Sequence, residues 1–164
     1  MKSKLLETKN TLDKDIRSQM IDLLNQELSN IIDLSMQSKQ AHWNVKGPHF
    51  VGLHELFDKV AETSSDFADE IAERLVQLGG IALGTLPIAA KNSKLPQYPL
   101  EIHSGKEHVE ALSTSMAEYA TSTREAIDKA DEAGDADTSD LFTEVSRGVE
   151  KLLWMVEANL QSDV

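Results

Sequence analysis

The 164-residue chain has no cysteine, which excludes a disulfide framework and thiolate metal ligation. A reducing, cytoplasmic setting suits such a chain. Aromatic residues make up only 5% against a hydrophobic share of 40%, so the core must be built from Leu, Ile, Val, Met and Ala rather than from rings. No apolar run approaches the roughly 20 residues that a membrane span needs. The opening stretch MKSKLLETKN lacks the apolar centre of a secretory signal, so no membrane partner is expected. Basic residues are outnumbered, 16 Lys and Arg against 28 Asp and Glu, for a net charge of −12. A body of that charge repels nucleic acid and attracts cations. Proline is scarce too: three of the four fall between residues 79 and 104, leaving the rest of the chain free for long helices.

What the chain does have is helical periodicity. From Asp13 to about Asn44, apolar residues recur at Ile16, Met20, Leu23, Leu24, Ile31, Ile32 and Met36, close to a 3.6-residue period. Gly47 and Pro48 interrupt the pattern, and a second helix is expected from about Pro48, since proline suits a first helical position. It carries Val51, Phe57, Val60, Phe67, Ile71 and Leu75, and LGG closes it near Leu78. Residues 79–104 show no long period and read as an overhand connection with one short helix near Pro87 to Ala90. SGKE at 104–107 is a capping box and opens a third long helix through Val109, Leu112, Met116, Tyr119, Ile127 and Ala130, ended by Gly134. DADTSD supplies cap residues for a fourth, with Leu141, Phe142, Val145, Val149, Leu152, Leu153, Val156 and Leu160. The expectation is an all-α four-helix bundle over residues 13–164, with a long crossover between helices two and three and a mobile tail of residues 1–12 before it.

Three of the five histidines fall in HWNVKGPHFVGLHELFD, residues 42–58. On a helical wheel with His54 at 0°, Asp58 lies at about 40°, Asp69 at about 60° and Glu73 at about 100°. Four candidate ligands therefore share one face as two i,i+4 pairs. His54 and Glu73 are nonetheless about 28 Å apart along the axis, too far for one metal. A second copy running antiparallel across a two-fold axis would set His54 and Asp58 against Asp69 and Glu73 of the partner subunit. His42 lies as far before the Gly-Pro break as His54 lies after it, so a hairpin brings the two level. His49 points about 140° away from His54 and does not join them. Glu62, at about 80°, passes the angular test and stays open as a neighbour.

Two imidazoles and three carboxylates without sulfur suit iron or manganese, and open coordination positions suit oxygen or peroxide chemistry on Fe(II). Plainer readings exist. A lone helical histidine is ordinarily structural, and helical carboxylates ordinarily face water. HELFD nearly matches the zinc-protease H-E-x-x-H, but Asp58 replaces the second histidine. The Glu-x-x-His pattern of intrachain di-iron bundles is absent. A helical oligomer that holds zinc without turnover is a further alternative.

KQAHWNVKGPHFVGLHELFDKVAE followed by DFADEIAERLVQLGG closely resembles the Dps family, the DNA-binding proteins from starved cells, or mini-ferritins. The likeness extends through ALGTLPI, YPLEIH and LLWMVEANL, over about residues 13 to 160. It implies a hollow homododecamer of ferritin-like four-helix subunits. It also implies ferroxidase centres at two-fold interfaces, with His42, His54 and Asp58 from one chain and Asp69 and Glu73 of the partner subunit. Such proteins oxidise Fe(II), preferably with hydrogen peroxide over dioxygen, and store the ferric mineral, which protects the cell and its DNA. Zinc is the expected substitute for iron. Trp43 matches a family aromatic beside the ligands. Asp137 and Asp140 resemble the aspartates of iron-entry pores at three-fold axes, a role compatible with helix capping.

The sequence departs from some relatives in its tail. Lys2, Lys4, Lys9 and Lys14 stand against Glu7 and Asp13, a small excess beside an acidic body. DNA binding is therefore expected to be weak, although twelve linked tails would gain avidity. A nucleoid-compacting protein with secondary iron chemistry is the competing reading.

Overall fold

The computed structural model describes residues 5–161. Five helices form: α1 Lys14–Asn44, α2 Phe50–Gln77, the short α3 Leu86–Asn92, α4 Gly105–Glu132 and α5 Ala136–Glu157, with a 3₁₀ turn at Ala158–Leu160. Asp13 caps α1 by accepting from the Asp15 N–H at 2.8 Å. The capping box is present at α4: Ser104 and Glu107 each bond the other's backbone N–H. No described helix is long and apolar enough to cross a membrane.

Helix α2 starts two residues later than its proline suggests. The Phe50 N–H bonds the Gly47 carbonyl at 3.1 Å, so Pro48 takes the second position of a turn, where its fixed φ fits equally well. Gly47 supplies the positive φ, +114°, that this reversal needs.

The apolar stripes meet in one core. Tyr119, Phe57, Phe142, Met20, Leu24 and Ile31 are all fully buried. Val51 and Met36, apolar in sequence, remain exposed. Met36 lies off the stripe Leu24, Leu28, Ile31 and Leu34, on the outward side of α1.

Side chains of α1 hold the crossover. Asn25 donates to the Ile81 carbonyl and accepts from the Leu83 N–H. Gln26 donates to the Asn92 carbonyl, Asn30 accepts from the Lys94 N–H, and Gln37 donates to the Pro96 carbonyl. These contacts advance along α1 as the crossover returns, ending where Lys46 bridges to Ser104. The crossover thus carries the chain back along the bundle. Helix α4 starts at the same end as α2 and runs parallel to it.

Residues 5–12 form no helix but lie against the bundle. The Leu6 N–H bonds the Gly79 carbonyl at 2.8 Å. Arg17 bonds the carbonyls of Leu12 and Leu78. Gly79 has φ +87°, and a Cβ there would sit 2.6 Å from the Leu6 carbonyl oxygen. Lys2 and Lys4, half of the tail lysines, lie outside the described residues.

Candidate metal centre

The hairpin between α1 and α2 places His42 and His54 face to face. Their rings stack at 3.6 Å between centroids, 21° from parallel. The histidines also exchange hydrogen bonds: His42 Nδ1 meets the His54 carbonyl at 2.7 Å, and His54 Nδ1 meets the His42 carbonyl at 2.8 Å. A carbonyl oxygen only accepts, so each Nδ1 must carry the proton. In its neutral form each ring then keeps its lone pair on Nε2, a tautomer suited to a metal ligand. The donor set of this hairpin therefore fits a metal ion.

Asp58 lies one turn further along α2. Its Oδ1 lies 3.9 Å from His42 Nδ1 and 2.5 Å from Lys39 Nζ. The hydrogen bond from Lys39 is the main cause of its lowered pKa; burial opposes, and the charges of His42, Lys39 and His54 add to the lowering. Lys39 Nζ is also 5.9 Å from the centre of the Trp43 ring. Trp43 is 59% exposed and is no core packing residue. Lys39 is absent from the sequence-derived site. Its signal was available: a hairpin that pairs positions 42 and 54 brings position 39 level with 57 and 58.

Asp69 and Glu73 lie elsewhere, both exposed on the far half of α2. Asp69 borders an open hollow of about 670 Å³ with Ile32, Ala72 and Ala82, and Glu73 a neighbouring one of about 390 Å³. Among the described residues of one chain, no three His, Asp or Glu come close enough to hold a metal ion. The five candidates thus divide into a histidine half and a carboxylate half. Glu70 sits with the second half; burial, then Glu144, Asp66, Asp69 and Glu73, raise its pKa. His49 is exposed and precedes α2 without a side-chain cap bond. Glu62 is exposed.

At the other end of α2, the cap of α5 is Asp135, whose side chain accepts from the Thr138 N–H. Asp137 and Asp140 are exposed, and neither serves as the cap. Asp135 is 2% exposed and pairs with Arg74 at 2.7 Å; the same guanidinium stands 3.7 Å from Asp137. Sequence reasoning missed this buried pair because it joins positions 61 residues apart.

A four-helix bundle with one long crossover and metal-type donors on inter-helix faces defines the ferritin-like class. The ferritin-like domain model matches residues 21–163. The DNA protection during starvation protein of Agrobacterium fabrum is 46% identical over 154 residues, covering 94% of this chain and 95% of that one. A tetragonal-form structure of Mycobacterium smegmatis Dps superposes with a TM-score of 0.89 at 34% identity, covering 94% of each chain. Dps from Microbacterium arborescens in the high iron form gives 0.85 at 28% identity, covering 97% of this chain and 100% of that one. The chain belongs to the Dps family of ferritin-like proteins.

Proposed function

We propose that the protein is a mini-ferritin that oxidises Fe(II), preferably with hydrogen peroxide, and stores the ferric product inside a homododecamer. Two Fe(II) ions each give one electron and together reduce one peroxide, so neither reactant remains to generate hydroxyl radicals. The centre combines His42, His54 and Asp58 with Asp69 and Glu73 of the partner subunit. One observation carries the reading: the reciprocal Nδ1 bonds that turn both Nε2 lone pairs into free ligands. The separation of the carboxylate half, beside hollows open to another surface, supports a shared site. Iron is the cation favoured by the donor set, and the high iron form of the Microbacterium relative accords with it. Asp137 and Asp140, exposed near the start of α5, are suited to attracting Fe(II) at an entry pore.

Stopped-flow Fe(II) oxidation with peroxide tests the centre. His54→Ala and Asp58→Ala should slow it by an order of magnitude or more, in line with the loss of a group from a metal site, whereas His49→Ala should leave it nearly unchanged. Co-assembled His54→Ala and Glu73→Ala chains should recover part of the rate, because some interfaces then hold an intact set. Equal losses in His49→Ala and His54→Ala, or no recovery on mixing, would refute the shared centre.

A further inference from the structure

We propose that His108 positions the metal-binding hairpin, as a strut between the Tyr98 hydroxyl of the crossover and the backbone carbonyl that ends α1 at Asn44. The inference rests on the metal-centre reading above and adds a positioning residue that touches no metal.

The start of α4 is the seat on which the hairpin rests. A Cβ on Gly105 would stand 2.6 Å from Leu53 Cδ1, 3.8 Å from the Lys46 carbonyl oxygen and 4.0 Å from Val45 Cγ2. The first turn of α4 therefore lies against both arms of the hairpin, beside His54 on one and just past His42 on the other. Lys46 also bridges to Ser104. His108 is one turn further into the bundle and 1% exposed. Its Nδ1 meets the Tyr98 hydroxyl at 2.7 Å. Burial raises the pKa of that hydroxyl, so it keeps its proton and can donate. Nδ1 then accepts, and the ring proton is left on Nε2. Nε2 is buried and makes no close hydrogen bond among the described residues. Burial lowers the pKa of the ring, while the Glu107 charge and the backbone of Asn44 oppose that. Asn44 is the last residue of α1, so its carbonyl has no partner within the helix. The Nε2 proton and that carbonyl complement each other.

The reciprocal bonds of His42 and His54 set the two imidazoles relative to each other. They do not set the pair relative to the bundle. A centre completed by Asp69 and Glu73 of the partner subunit needs the second alignment as well, because metal–ligand distances tolerate only a few tenths of an ångström. His108 supplies it, two residues beyond His42.

Zn(II) tests this as a redox-silent probe, titrated calorimetrically into the assembled full-length protein. His108→Leu should bind Zn(II) about tenfold more weakly than the parent, the low end for a supporting group of a metal site. His108→Gln, whose amide can still donate toward Asn44, should stay near the parent. Tyr98→Phe removes one oxygen and keeps the ring; it should weaken binding roughly two- to fivefold, within the range of one net hydrogen bond. That variant decides the matter should His108→Leu fail to assemble. Zn(II) affinity unchanged in Tyr98→Phe and in assembled His108→Leu, with binding still abolished by His54→Ala, would overturn the role of His108 and leave the centre standing. Equal weakening in His108→Gln and His108→Leu would do the same, since the loss would then follow ring packing and not the donor. Zn(II) binding that is indifferent to His54→Ala would overturn both.

Discussion

Glu27 is a carboxylate with an unusual position: 3% exposed in the bundle interior. Its bonds come from neutral partners, the Ser122 hydroxyl at 2.7 Å and the Asn30 amide at 3.2 Å. Burial raises its pKa, and those two bonds oppose the rise without cancelling it. A raised folded-state value means that its favourable contribution is complete below the ordinary value of 4.5 and is lost as pH rises through the folded one. Glu27→Gln, neutral throughout, should therefore gain melting temperature relative to the parent as pH rises above the ordinary carboxyl value of 4.5. The comparison separates titration from any constant cost of turning an amide toward Asn30. A melting-temperature difference that does not vary with pH would rule out charged Glu27 as the cause. Tyr119 nearby has a fully buried hydroxyl that finds no hydrogen-bond partner among the described residues.

Helix ends show how local chemistry sets element boundaries. The carboxylate of Glu107 accepts the backbone N–H and hydroxyl of Ser104 and the N–H of His103, and these bonds lower its pKa from 4.5 to about 2. A depressed value stabilises the fold above the ordinary value, and that stability is lost as pH falls toward about 2. Ser104→Ala should cost about 1 kcal/mol at neutral pH and make acid unfolding less steep over that window, as seen by helical circular dichroism. At the end of α2 the constraint is steric. Gly79→Ala would place a Cβ 2.6 Å from the Leu6 carbonyl, at φ +87°, a strain of about 1–3 kcal/mol. The expected outcome is release of the segment at 5–12, visible as faster exchange of the Leu6 amide. Unchanged protection there would mean that Arg17 alone anchors the segment.

For the whole molecule, charge decides between partners. Each chain carries −12, and assembly of the proposed dodecamer would compound it. Of the tail lysines, Lys9 and Lys14 are exposed, but residues 5–12 are bonded to the bundle rather than projecting from it. Plasmid retention should be weak at neutral pH and physiological salt, and what remains should fall steeply as salt rises. Tight, salt-resistant retention would reverse that reading. Light scattering should give a single species of twelve chains; an active monomer would contradict a centre split between subunits.

Several features of this protein are fixed by neighbours in sequence. The apolar period of α1, α2, α4 and α5, the break at Gly47–Pro48, the capping box at Ser104 and the shared face of His54, Asp58, Asp69 and Glu73 all depend on residues within a few turns of one another. They were legible without coordinates for that reason. Other features depend on contacts between distant segments. Tertiary structure alone decided that α2 begins at Phe50, that Asp135 rather than Asp137 or Asp140 caps α5 and pairs with Arg74, and that Lys39 rests on Asp58. It also decided which nitrogen of His42 and His54 carries a proton, since that proton is placed by a carbonyl twelve residues away. Helical periodicity sets which face a side chain occupies; only the packed hairpin sets what that side chain touches, and hydrogen bonding and charge act over a few ångströms.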